Sequence, residues 1–358
     1  MDLLPLIEKL GGAHVLAVGG AVIGLLFGFF AQRSNFCLRA AVIEFARSQP
    51  VAKLAVWLLV FSAAVVGVQA LLLAGWIDVS GSRQLAVRGS LSGAIVGGLL
   101  FGAGMIMTRG CAARLLVLSA TGNLRALLSG LIFAVSAQAA LAGVLAPLRV
   151  EISSWWTVDG GSARDLLAVS HVGHRAGLAF GLLWLVAALW YAWRSHRGLW
   201  KWVGGLGAGL AVALGWAYTA SVAASSFDVV PVQGLTFSGP SAEWLMRVVS
   251  SPAPAIGFDF GLLPGVFAGS FLGALAGRNL ELQGFKDGYG MRRYIAGAIF
   301  MGFGAMLAGG CAVGAGVSGG SIFSLTAWIA LACMWIGGAV TDRLLDREPR
   351  LAAHRHGP

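Results

Sequence analysis

Cys111 and Cys311 stand two hundred residues apart, and each closes the same pattern. Gly97-x4-Gly102-x-Gly104-x5-Gly110-Cys111-Ala112 recurs without a gap as Gly297-x4-Gly302-x-Gly304-x5-Gly310-Cys311-Ala312. A thiol is polarizable and only a weak hydrogen-bond donor. Matched thiols in two apolar copies suit passing contact with a soft solute better than a structural role. Cys37 is a third candidate, in the polar run Gln32-Arg33-Ser34-Asn35-Phe36-Cys37-Leu38-Arg39. Cys333 lies in an apolar stretch without a polar break and reads as a small buried hydrophobe. The four cysteines form no Cys-x-x-Cys, and no His lies near one in sequence, so no metal site is expected. No cofactor is indicated either: the glycine runs follow no strand, which rules out a dinucleotide fingerprint.

The elements that hold these thiols follow from composition. The chain has 358 residues, 58% hydrophobic and 11% charged, with mean hydropathy +0.81. A soluble chain carries roughly 25% charged residues, so an all-α polytopic membrane protein is expected. Nine spans are read at about 15–31, 54–76, 91–108, 124–146, 176–193, 203–222, 258–276, 294–309 and 322–340. The 53 glycines imply close helix packing, because small residues let backbones approach in lipid. Gly102, Gly104, Gly302 and Gly304 are read as such packing positions. The net charge of +10 is spread over short loops, which argues against nucleic-acid binding. Trp155, Trp156, Trp200 and Trp202 read as interface belts, and Asp259 as a solvated cap where span seven begins.

Basic residues set the orientation. Lys9, Arg83, Arg88, Arg149, Arg164, Arg175 and Arg247 fall on one side, and the remaining eighteen of the twenty-five on the other. This places the N-terminus outside and the C-terminus in the cytoplasm; in a bacterial inner membrane that outside is the periplasm. Spans three and eight then cross in opposite senses, because five spans separate them. Inverted halves are expected at 1–175 and 176–342, followed by a cytoplasmic tail at 343–358. Such halves commonly hold a transport site at their interface, built from broken helices. Residues 112–123 and 312–321 are short and only partly apolar, as re-entrant elements lining a central path would be. Thr236-Phe237-Ser238 is a weak second-half mate for Asn35-Phe36-Cys37, with Ser238 in place of the thiol.

The motif Gly110-Cys111-Ala112-x-Arg114-x-Leu116, running on to Gly122-Asn123-Leu124, resembles the first-half signature of the YeeE/YedE family of sulfur-compound transporters. Asn35-Phe36-Cys37 and Ala308-Gly309-Gly310-Cys311 are similar to its other two cysteine segments, in the same order. The resemblance implies an hourglass-shaped helical protein with pseudo-twofold inverted repeats. It implies uptake of thiosulfate or a related sulfur anion along a path through Cys37, Cys111 and Cys311. A small cytoplasmic sulfurtransferase of the TusA type is the partner it suggests. One position departs: the family's thiosulfate importers tend to carry a small residue where Arg109 stands.

On this reading the path comprises Cys37, Cys111 and Cys311, with Asn35, Gly110, Gly310 and Arg109 beside them. The glycines let backbone N–H groups reach an anion. Arg109 and Arg39 are candidates both for anion contact and for ordinary cytoplasmic anchoring. Two other classes stay open from the residues alone. One is a membrane thiol oxidoreductase or sulfurtransferase, which needs a reactive low-pKa thiol. The other is a channel for another small sulfur or selenium solute.

Overall fold

The computed structural model describes residues 4–48, 52–194, 198–226, 229–249, 251, 256–284 and 288–347. Among them, nine helices are long and apolar enough to cross a membrane. They are α1 (Gly12–Ser34), α2 (Ala52–Leu73), α3 (Leu91–Met107), α4 (Leu124–Ala142) and α5 (His174–Arg194). The chain continues with α6 (Leu199–Ser225), α7 (Phe258–Ala276), α8 (Gly288–Leu307) and α9 (Leu325–Asp342). Each coincides with an expected span, and this is a multi-pass, all-α membrane protein. The largest differences are at helix ends. Gly143 stops α4 before the expected boundary, and Pro147 opens a separate short helix, Ala146–Ser154. Residues 343–347, expected in the tail, continue α9 as one π-helical turn; residues 348–358 lie outside the described part.

Glycine spacing explains the tightest contacts. Gly20, Gly24 and Gly28 lie on one face of α1 and meet the carbonyls of Phe258, Leu262 and Val266 on α7. In return, Gly261, Gly265 and Gly269 of α7 meet the carbonyls of Ala17, Ala21 and Leu25. The duplicated helices α3 and α8 cross antiparallel in the same manner. Gly97 faces Gly304, and Gly104 faces Gly297. Apolar contact alone gives no preference for protein over lipid tails, so this backbone proximity is what dispersion needs to hold the helices together. Among the positions read as packing glycines, Gly102 meets α9 at Met334 and Gly302 meets α4 at Phe133.

Irregular segments are tied down by the opposite end of the chain. Asn123 bridges to Gln283, and Asp165 to Ser324. The strands Gly89–Ser90 and Thr157–Val158 pair antiparallel, with Gly89 opposite Val158. Trp155, Trp156 and Trp200 are exposed, as an interface belt requires, while Trp202 is half-buried. Asp259 departs from a solvated cap: its Oδ1 is buried and has no hydrogen-bond partner.

Candidate functional site: thiols between two arginine-rich ends

The turns after α3 and α8 are wound alike. The Gly110 N–H donates to the Met105 carbonyl at 3.1 Å, and Gly310 donates to Ala305 at 2.9 Å. Arg109 and Gly309 both adopt the left-handed conformation, with φ of 59° and 78°. This satisfies the last helix carbonyls as a Schellman turn does. Each chain then re-enters. Cys111 N-caps the short helix Ala112–Ala120, and Cys311 opens the π-helical turns Ala312–Gly319. Leu115 N–H donates to the Cys111 carbonyl at 2.9 Å, and Ala315 N–H to that of Cys311 at 2.8 Å. The Cys311 sulfur also accepts from the Gly314 N–H at 3.5 Å. Residues 312–319 are buried throughout, so their backbone hydrogen bonds must close internally, as irregular chain at membrane depth requires.

Cys37 reaches this region from α1. Asn35 ends α1 in the left-handed conformation, which an Asn tolerates. Phe36 is buried, and Cys37 N-caps a second short helix, Leu38–Ala46. The segment Thr236-Phe237-Ser238 behaves similarly. Phe237 is buried, and Ser238 begins the helix Ser238–Val249. The Phe27 ring joins the two segments, 6.4 Å from Phe36 and 5.3 Å from Phe237 by ring centroids. Thr236, two residues before Ser238, packs against Gly314 beside the Cys311 segment.

The three expected thiols come together. Cys37 and Cys111 lie within interaction range of one another, and Cys311 is within electrostatic reach of Cys111. Cys111 and Cys311 are 1% and 0% exposed, whereas Cys37 is only partly enclosed. All four cysteines are free, and Cys333 stands apart against Gly98. Among the described residues, no group of three His, Cys, Asp or Glu side chains could hold a metal ion. Arg109 is exposed at the end of α3, with its guanidinium 5.9 Å from the Tyr294 ring.

Arg114 is the residue that sequence reasoning passed over. Its guanidinium donates to Gln32 Oε1 at 3.3 Å and to Asn35 Oδ1 at 3.1 Å. It stands within electrostatic reach of both Cys37 and Cys111. Both hydrogen-bond partners are neutral, so the guanidinium keeps a full uncompensated charge beside the thiols. An intramembrane cation of this kind points to function by default. Its signal is present in the motif Gly110-Cys111-Ala112-x-Arg114, three residues past the thiol, as Arg109 is two residues before it.

The opposite end, beside Gly309, holds a cavity of about 300 Å³. Arg83, Arg88, Arg149 and Arg164 line it together with Gly309 and Ala315, and among the described residues no carboxylate does. Arg164 is 7% exposed. It donates to the Val87 carbonyl at 2.5 Å, the Arg83 carbonyl at 3.2 Å and Thr326 Oγ1 at 2.6 Å. Its Nε has no partner. Burial and the nearby Arg83 lower Arg164 to about 10, which leaves it a cation at neutral pH. Arg88 pairs with Asp159 at 3.8 Å on the exposed rim, and Arg83 lies within electrostatic reach of Glu243 and Asp259. The arrangement offers anions a basic chamber whose wall includes the segment that carries Cys311.

Comparison with known proteins agrees with this geometry. The family model described as "Sulphur transport" matches residues 33–340. The chain is 24% identical over 359 residues to the thiosulfate transporter TsuA of Escherichia coli K12, covering 94% of this chain and 97% of that protein. It is 25% identical over 358 residues to the protein of the same name from Spirochaeta thermophila, covering 92% and 99%. The thiols thus sit in a transport protein rather than an enzyme. The chain belongs to the sulphur transport family, of the YeeE/YedE type.

Proposed function

We propose that this protein carries thiosulfate, or a closely related inorganic sulfur anion, across the bacterial inner membrane toward the cytoplasm. The observation that carries the reading is the meeting of Cys37, Cys111 and Cys311 beside Arg114, below a basic chamber. The anion enters at the Arg83–Arg164 chamber, on the periplasmic side assigned by the basic-residue asymmetry. It then passes Cys311, Cys111 and Cys37 in turn. Conduction needs sites that bind well enough to enter and weakly enough to leave. Neutral thiols meet that need, because S–H is a weak donor to the terminal sulfur; a thiolate would repel the dianion.

Arg114 supplies attraction where the thiols cannot. Gln32 and Asn35 hold its fork without neutralising it. Gly110 and Gly310 leave room at the two thiol turns for backbone N–H groups to face the ion. Arg109 belongs to the exit. The halves 1–175 and 176–342 are inverted repeats around this path, with Ser238 standing where Cys37 has its mate, and residues 343–358 face the cytoplasm. A TusA-like sulfurtransferase is the acceptor that fits delivery on that side. The supporting relatives carry the thiosulfate transporter name over nearly their full length.

The test is uptake of radiolabelled thiosulfate by proteoliposomes containing the purified protein. Saturable uptake above protein-free liposomes is expected, with competition by unlabelled thiosulfate. No uptake in either orientation would remove the proposal. Saturable uptake of another sulfur or selenium anion, indifferent to thiosulfate, would change the substrate.

A further inference from the structure

The end of the molecule remote from the chamber has its own cluster of cations, and one carboxylate holds it. Asp346, on the turn that extends α9, places Oδ1 2.8 Å from Arg293 Nη1 and Oδ2 3.7 Å from Arg39 Nη2. Arg109 lies within electrostatic reach of both Asp346 and Arg39. Arg125 lies within reach of Arg109 and Arg39. Arg125 and Arg109 also share the Tyr294 ring, at 5.0 Å and 5.9 Å from its centroid. The nearby Asp342 is already committed, because Arg47 grips both its oxygens at 2.6 Å and 2.8 Å.

Four guanidinium groups therefore converge with Asp346 as the carboxylate among them. Three of their nitrogens are buried without any partner: Arg39 Nε, and Nε and Nη2 of Arg293. Asp346 engages one nitrogen each of Arg39 and Arg293, and the remaining buried nitrogens of those forks lack an acceptor. Guanidinium forks match the oxygens of sulfonate- and sulfate-like groups as point-charge ammoniums do not. Arg39 is also two residues beyond Cys37, the last thiol of the proposed relay.

Arg109 adds a separate indication. Residues other than glycine are disfavoured in the left-handed conformation, and glycine fills the matching position, Gly309. The strained position thus holds a cation directed at this end.

We propose that Arg39, Arg109, Arg125 and Arg293 form an exit site for an inorganic oxyanion, with Asp346 as its built-in counter-ion. The passing anion displaces the Asp346 carboxylate, which is 22% exposed and can turn to water. When the anion leaves, Asp346 returns and neutralises the cluster. Release is then an exchange of one anion for another, and the cations are never left bare. This rests on the transport reading above.

The test is thermal stabilisation of the detergent-purified full chain, titrated with sulfate and with thiosulfate at constant ionic strength in a neutral detergent. Asp346→Asn removes the competitor, and apparent anion affinity rises about tenfold. Asp346→Glu keeps the competitor and leaves affinity near that of the unaltered protein. Arg293→Gln lowers affinity about tenfold. Arg109→Gly also lowers it while raising melting temperature in the absence of anion, which separates binding from folding even if Asp346→Asn folds poorly. Affinities unchanged in both Arg293→Gln and Arg109→Gly overturn the site, as does unchanged affinity in a well-folded Asp346→Asn. Proteoliposome uptake is read independently. If Asp346→Asn raises anion affinity as expected while the unaltered protein carries no thiosulfate, transport is refuted and the site stands.

Discussion

The crossing of α3 and α8 makes a quantitative prediction. A methyl group placed on Gly97 would meet the Gly304 carbonyl oxygen at 2.6 Å, and one on Gly304 would meet the Gly97 carbonyl oxygen at 2.7 Å. Ordinary contact begins near 3.4 Å, and both obstacles are backbone, which cannot rotate aside. Gly97→Ala or Gly304→Ala must therefore push the helices apart. Overpacking of this kind costs about 1–3 kcal/mol, partly offset by the better helix propensity of alanine, roughly 1 kcal/mol. A net loss of up to about 2 kcal/mol is expected for each. The double variant should lose less than the sum, because the first methyl already opens the gap that the second would occupy. Cys111 and Cys311 follow directly from the ends of these two helices. Separation of the helices thus also displaces the thiols, and uptake should fall more steeply than stability. The assays are reversible unfolding in detergent or bicelles and initial uptake rate in proteoliposomes, on the same preparations. Fully additive losses, or either alanine variant matching the unaltered protein in both assays, would refute the reasoning.

Further outcomes follow from single contacts. Arg114→Leu should abolish uptake with the fold retained. Arg114→Lys, which keeps the charge but loses the two-way grip on Gln32 and Asn35, should reduce kcat/KM about tenfold, the scale of one charge-assisted hydrogen bond. Arg83→Gln in the basic chamber should raise apparent KM several-fold with little change in maximal rate, and should flatten the salt dependence of uptake; a changed maximal rate with constant KM would contradict an entry role. Asp342 is fully buried and Arg47 is partly exposed, so Asp342→Asn should cost about 1.5–3 kcal/mol in unfolding experiments, because it removes the two-oxygen, charge-assisted grip on Arg47. A loss within 1 kcal/mol would show that water reaches this pair.

Most of the architecture is legible in the chain because lipid leaves few choices. A run such as 258–276 is apolar and long enough to span, and the helix Phe258–Ala276 has those bounds. The matched Gly-Cys segments announced both re-entrant turns, and the Schellman windings at Met105–Gly110 and Ala305–Gly310 repeat at the same spacing. The short helices Leu38–Ala46 and Ser238–Val249 were less visible. They are too short to carry a span signal; Phe36 and Phe237 are buried at their starts, and Cys37 makes no side-chain capping hydrogen bond. Arg114 was hidden for a different reason. A lone arginine near a span end reads as a cytoplasmic anchor, and only the fold reveals that Gln32 and Asn35 turn it toward the thiols. The partnership of Asp346 with Arg39 joins residues from opposite ends of the chain, which no local pattern can announce.

The thiol relay is tested most directly by initial-rate uptake of labelled thiosulfate in proteoliposomes carrying Cys37→Ser, Cys111→Ser, Cys311→Ser or Cys333→Ser. Serine keeps the size and a donor but lacks the polarizable sulfur. Rates should collapse in the first three variants and stay at the unaltered level in Cys333→Ser, with all four proteins folded and inserted. Uptake that survives in Cys111→Ser and Cys311→Ser would contradict the relay.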